Sequence, residues 1–299
     1  MTQKTLPIQT SRHKLHKQII KFCHFSDFPL YFNKVGPKKF TNYQRIGLII
    51  LFLRSRKSLR DFTKELCELK WINWLGIRSL PGKSTLHDWL NLFDLQTIRK
   101  FLQLTVAEEK PSLMAIDATG IDAWQRSRHY QWRIQEDIMP SVKLDIIVDT
   151  KTKLIHDFVL RVKPRHDTLG AKSIFKRMKV KGVKILGDKG YDSEKLHLIA
   201  REMGNELFAP VRKMKKGKPN GKFRRMCVEK DPEYGMRNIV ENTFKVLKQV
   251  RVHALRSKKH YMKKREMGWH IIIYNLSRME RMIQVILWIK EPFRTEPFN

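Results

Sequence analysis

Chemistry in this sequence concentrates on three carboxylates and the cationic and phenolic side chains around the last of them. Tyr234, Arg237, Glu241 and Lys248 stand in Tyr234-Gly-Met-Arg237-Asn-Ile-Val-Glu241-Asn-Thr-Phe-Lys245-Val-Leu-Lys248-Gln249. If that stretch is one α-helix, advancing about 100° per residue, the four side chains fall within an arc of roughly 60°. Ile239, Val240, Phe244, Val246, Leu247 and Val250 take the rest of the circumference, as on a helix docked in a core with one polar stripe. A carboxylate flanked by two cations and a phenol suits a group that holds a metal and grips phosphates. Two earlier acids complete the set. Asp117 ends the apolar run Leu113-Met-Ala-Ile, and Asp188 ends Val183-Lys-Ile-Leu-Gly, where a strand of an open α/β sheet would present a ligand. Oxygen donors of this kind suit hard divalent ions, which take one or two carboxylates and complete their shell with phosphate oxygens. Two such ions about 3.5–4 Å apart serve an in-line displacement at a phosphodiester. Asp122, Asp145, Asp149 and Asp157 lie in the same region, so no single acid is diagnostic; the order strand, strand, helix makes the trio specific.

The elements that must position these residues can be read from periodicity. Val142, Leu144, Ile146 and Val148 alternate on one strand face, and residues 154–163 form a further strand after the turn Asp149-Thr-Lys-Thr. With the run ending at Asp117 these make an antiparallel meander. Asp167 is placed to N-cap a helix over 168–178. Gly190 sets the turn after Asp188, residues 193–203 read as a helix, and 206–210 as a short strand. Residues 211–230 form a basic insertion containing Lys213, Lys215, Lys216, Lys218, Lys222, Arg224 and Arg225, expected to contact DNA, and Arg251 to Arg265 is basic again. Upstream, residues 41–110 read as short helices, with Asn42 and Ser58 as caps and Ser84 or Thr85 opening a helix with Asp88 in a capping box. With Arg54, Arg56, Lys57 and Arg60 clustered, this segment suggests a helix-turn-helix-like DNA-binding domain. Residues 1–40 form a basic arm interrupted by Pro29 and Pro37, and 291–299 a tail. The texture changes from helical to strand-like near Pro111, giving a second domain over 111–290.

The 299 residues carry 61 Lys plus Arg against 29 Asp plus Glu, a net charge of +32, and 41% are hydrophobic. The chain can therefore bury a core, and its charge asks for a polyanionic partner. Double-stranded DNA fits better than a membrane surface, because the basic residues spread along the whole chain. The apolar stretch 269–289 is interrupted by Arg278, Glu280 and Arg281, which reads as a core helix rather than a membrane span. No signal-peptide pattern is expected at the start. Cys23, Cys67 and Cys227 are too few and too far apart for a zinc or disulfide framework. Pro81-Gly-Lys-Ser-Thr85 resembles the end of a phosphate-binding loop, but the glycine such a loop needs would be at position 77, which is Ile77. No nucleotide cofactor is expected.

On these residues the chain resembles the DDE-type transposases of insertion sequences, in the group of insertion-sequence families four and five. That group's signature of Tyr, two residues, Arg, three residues, Glu, six residues, Lys is matched by Tyr234, Arg237, Glu241 and Lys248. Ile116-Asp117-Ala-Thr-Gly120 and Gly187-Asp188-Lys-Gly-Tyr-Asp-Ser193 resemble the settings of the other two acids. The resemblance implies an α/β fold: a ribonuclease-H-like mixed sheet flanked by helices, preceded by an all-helical N-terminal domain. It implies that Asp117, Asp188 and Glu241 ligate two Mg²⁺ or Mn²⁺ ions, and that Tyr234, Arg237 and Lys248, with Lys245, Arg224 and Arg225, bind DNA phosphates. The partners implied are the transposon's inverted repeats, target DNA and a second copy of the chain in a paired-end complex. The setting implied is the nucleoid of a prokaryotic cytoplasm. The interval from Asp188 to Glu241 is too short for a large inserted domain. Two other readings remain at this point: a host junction or repair nuclease on the same fold, and a non-catalytic DNA-binding descendant of a transposase.

Overall fold

The computed structural model describes residues 29–32, 35–36, 38–68, 71–123, 142–161, 166–212, 219–229, 231–252 and 254–290, the side chains of 71, 250–251 and 280–290 excepted. Most of the basic arm, the 291–299 tail and Lys213, Lys215, Lys216 and Lys218 of the basic insertion lie outside these residues. The chain divides into two compact units, one of residues 1–93 with 272–299 and one of residues 94–271.

The first unit is helical. Helix α1, Asn42–Ser55, is buried almost continuously from Ile46 to Leu53, as expected of a helix hydrophobic all round. Its cap is Thr41, not Asn42: the Thr41 hydroxyl accepts from the Gln44 N–H and the Gln44 side chain accepts from the Thr41 N–H, closing a capping box. Asn42 is fully buried and donates instead to the Pro29 carbonyl at 2.7 Å. Helix α2, Leu59–Glu65, is capped by Ser58 as its sequence suggests. The short helix α3, Trp71–Trp74, follows. Helix α4, Lys83–Leu92, starts one turn-position early, after Gly82, so Ser84 and Thr85 lie inside it and supply no cap. Edge-on aromatic pairs hold these helices: Phe52 with Phe62 joins α1 to α2, and Phe40, just ahead of α1, packs on Trp89 of α4.

The second unit opens with α5, Leu95–Leu104, capped by Asp94. Five strands follow: β1 Leu113–Ile121, β2 Val142–Asp149, β3 Ile155–Arg161, β4 Lys184–Leu186 and β5 Glu206–Phe208. Their order across the sheet is β3-β2-β1-β4-β5. The first three form the antiparallel meander, and β4 and β5 join parallel to β1. Helix α6, Asp167–Phe175, and helix α7, Glu194–Glu202, bury the face carrying Met114, Ile116, Ile185 and Leu207. On the other face Phe158 of β3 meets α5, whose Arg99 donates to the Phe158 carbonyl, and Gly268 of helix α10, His260–Lys290. This packing places α5 with the sheet, so the compact unit begins at Asp94, ahead of the texture change at Pro111.

Asp167 does not cap α6. His166 stands at the N-cap, and Asp167, in the first turn, pairs with Lys143 and Arg161. Those cations on β2 and β3 compete successfully for a carboxylate that could otherwise turn back on its own helix. Arg161 also makes a two-pronged contact, at 2.8 and 2.6 Å, with the fully buried Asp145. Burial pushes the Asp145 carboxyl up to about 6 against the pull of Arg161.

Candidate active site

The middle of β1, the turn just past β4 and one helix assemble the site. Asp117 does not end its strand as the sequence suggests, because β1 stays paired with β2 through Ile121. In the parallel pairing of β1 with β4, Ala115 lies opposite Leu186. Two residues further along each chain come Asp117 and Asp188, so the same register sets them side by side. Alternation puts both on the face away from α6 and α7, with Leu113 and Leu186. That face also receives the segment carrying the Tyr-Arg-Glu-Lys residues.

The segment is helical throughout but changes pitch twice. Tyr234–Arg237 is a 3-10 turn, Asn238–Val246 is the α-helix α9, and Leu247–Arg251 is a π turn. A single α-helix over 234–249 is therefore corrected. Side chains three apart eclipse in a 3-10 turn, so Tyr234 and Arg237 still share a side, while the π turn carries Lys248 off the α-helical stripe. Lys184 of β4 anchors the start of the segment through Asp231 and Glu233. The Tyr234 ring packs edge-on to Phe208 at 5.6 Å.

Arg237 lies between the acids. Its guanidinium donates to Asp117 Oδ2 at 3.2 Å and to Glu241 Oε1 at 2.5 Å. Burial, then the neighbouring charges of Asp188 and Glu241, drive the Asp117 carboxyl above its ordinary range; the Ala118 N–H and Arg237 oppose them. Burial likewise raises the Tyr234 phenol. Asp188 caps a single 3-10 turn, Lys189–Tyr191, accepting from the Gly190 N–H at 2.7 Å. Glycine at 190 lets the carboxylate come this close, because a Cβ there would stand 2.8 Å from Asp188 Oδ1 and displace it.

No group of three or more of the described His, Cys, Asp and Glu residues stands arranged to hold a metal ion. The donor set nevertheless fits a divalent ion of the open kind, which takes few carboxylates and waits for substrate oxygens. The charges of Asp188 and Glu241 help raise the half-buried Asp117, and the Arg237 guanidinium already sits between Asp117 and Glu241.

Other expected residues fare differently. Lys245 is exposed and Lys248 half-buried, and neither side chain makes a hydrogen bond or ion pair among the described residues. Arg225 is exposed and donates to the Pro219 carbonyl. Arg224, on the short helix α8, Lys222–Met226, and expected to meet DNA, is instead taken up by Asp192 at 2.6 and 2.7 Å. Burial pushes Asp192 up, but Arg224 and Arg212 hold it below its ordinary range. Arg212 also donates to the carbonyls of Lys189 and Gly190. Part of the basic insertion thus folds back as a brace for the loop after Asp188. Sequence reading missed this role, since a run of cations carries no mark of which ones meet an acid far away in the chain. A cleft of about 480 Å³ opens beside the brace, bordered by Lys189, Phe208, Arg212 and Tyr234.

Comparison with known proteins bears on this arrangement. No curated protein matches the sequence. Among solved structures the chain is similar to a piggyBac transposase, determined by cryo-electron microscopy as a synaptic complex with hairpin DNA. The TM-score is 0.50 at 12% identity, over 94% of this chain and 75% of that one. At that identity the likeness is one of fold. Residues 108–276, more than half the chain and all three acids, match the family model described as the transposase DDE domain. The chain belongs to the DDE-domain transposase family.

Proposed function

We propose that Asp117, Asp188 and Glu241 form the metal-dependent catalytic set with which this transposase cleaves transposon ends and joins the freed 3′-hydroxyls to target DNA. One observation carries the reading: the β1–β4 register sets Asp117 beside Asp188, and Arg237 ties Asp117 to Glu241 from the helix above. Mg²⁺ or Mn²⁺, two ions per site, would supply Lewis-acid stabilisation of the attacking and leaving oxygens. Asp117 and Asp188 hold their positions through strand pairing and the Gly190 turn, so they need little rearrangement to receive cations. Arg237, already on the carboxylates, is placed to swing onto a phosphate and form the forked contact its guanidinium favours. Tyr234 borders the approach, and Lys248, Lys245 and Arg225 extend it as a cationic surface. The helical unit is read as a DNA-binding domain and the active species as a dimer holding two ends. The likeness to a transposase solved in a synaptic complex with DNA supports DNA as the partner.

The test is cleavage of DNA carrying the element's own ends, in Mg²⁺, by the wild type and by Asp188→Asn and Glu241→Gln. Loss of cleavage by about two orders of magnitude or more, with end binding retained, is expected. Undiminished cleavage by either variant would remove that residue from the site.

A further inference from the structure

We infer that residues 254–259 form a rigid phosphate-binding platform for the DNA strand running out of the active site, and that buried Glu266 sets its shape. This rests on the transposase reading above and adds to it a surface outside the Tyr-Arg-Glu-Lys segment. Leu255, fully buried, forms a parallel bridge with Ala123, and its N–H donates to the Asp122 carbonyl at 2.8 Å. The platform is thereby stitched to the continuation of β1, the strand that carries Asp117. At about 3.3 Å per residue it stands roughly 17–20 Å beyond that acid, a distance spanned by about five or six phosphates of one strand.

Glu266 of α10 is buried, and its carboxylate is spent on backbone. It accepts from the Arg256 N–H at 2.9 and 3.2 Å and from the Ser257 N–H at 2.8 Å. Two successive amides turned inward onto one carboxylate leave the next residues, Lys258 and Lys259, exposed. Neither lysine makes an ion pair among the described residues, whereas Lys143, Arg161, Lys184, Arg224 and Arg237 are all matched to acids. Tyr261, 45% exposed, follows at once, with the Arg265 guanidinium 5.1 Å and the Lys259 ammonium 5.9 Å from its ring centre. Lysines without an ion pair among the described residues, next to an exposed aromatic ring, are the elements of a sequence-tolerant nucleic-acid surface. Because the backbone is held beforehand, less ordering cost is left when DNA arrives.

The experiment measures binding of the full chain to a labelled duplex bearing the element's end and to a random duplex of equal length, over a range of salt. The variants are Lys258→Ala/Lys259→Ala, Glu266→Gln, and a control pair, Lys176→Ala/Lys179→Ala, exposed cations beyond the C-terminal end of α6. The platform pair should lower the slope of log affinity against log salt by about 1.8 and weaken both duplexes roughly tenfold, with the control unchanged. Glu266→Gln should weaken binding although both lysines remain; if that variant fails to fold, the lysine pairs decide alone. An unchanged slope in the platform pair, or equal losses in both pairs, overturns the proposal. A wild type that binds neither duplex would instead sink the transposase reading on which it rests.

Discussion

Arg237 is the residue at which the charge balance of the site turns. Its guanidinium offsets Asp117 and Glu241 together, and Asp117 is buried enough to need it. Arg237→Ala should therefore leave a half-buried carboxylate unpaired. The expected cost without metal is about 1 kcal/mol, small because Glu241 is half-exposed and screened. The same change should make added Mg²⁺ raise the melting temperature more in the variant than in the wild type, since the ion would then replace a missing cation. Equal metal-dependent shifts, measured by thermal unfolding, would show that guanidinium and ion do not share a place.

At the scale of elements, α6 is pressed onto β2 so closely that a Cβ on Gly170 would lie 2.4 Å from the Asp145 carboxyl carbon. Gly170→Ala should destabilise the protein by about 1–3 kcal/mol in denaturant unfolding, since neither helix backbone nor buried ion pair can give way cheaply. Gly235→Ala, where a Cβ meets open space, should change stability by less than about 0.5 kcal/mol. This contrast also marks what the sequence can say. The meander, the strand-end position of Asp188 and the helix bearing Glu241 were legible, because period-2 runs and glycine turns are local signals. The continuation of β1 past Asp117 to Ile121 was not, since Ala118-Thr-Gly120 carries no alternating apolar pattern. The Gly170 contact, the Arg224–Asp192 brace and the capture of Asp167 by Lys143 and Arg161 were not. Each depends on which side chain meets which across the fold, and sequence spacing is silent on that. The pitch changes at Arg237 and Leu247 were hidden for a related reason: the residues suit an α-helix, and tertiary packing decides otherwise.

Over the whole molecule, stability depends on groups far from the acids. His156, on β3, is buried with its Nε2 unpaired among the described residues, and burial depresses its pKa to about 4. A histidine kept neutral in the folded state stabilises fully above its unfolded pKa near 6.5, and that stability is lost as pH falls toward 4. The raised Asp145 works in the opposite sense over an overlapping window, its contribution declining as pH rises toward about 6. His156→Gln should therefore flatten or reverse the fall in unfolding free energy between pH 6.5 and 4, by about 3 kcal/mol across the window. An unchanged pH profile would mean that His156 is not held neutral. Elsewhere the net charge of +32 finds its purpose in a polyanion. No helix among the described residues is long and apolar enough to cross a membrane.

The central claim, that Asp188 lies on a catalytic divalent ion beside Asp117 and Glu241, is tested most directly by changing the metal preference of one ligand. Asp188→Cys replaces a hard oxygen donor with a softer sulfur, which Mg²⁺ tolerates poorly and Mn²⁺ better. Cleavage of end-bearing DNA by this variant should be lost in Mg²⁺ and restored in part by Mn²⁺, while the wild type works in both. Full activity of the variant in Mg²⁺, or wild-type cleavage with no divalent ion present, would contradict the account.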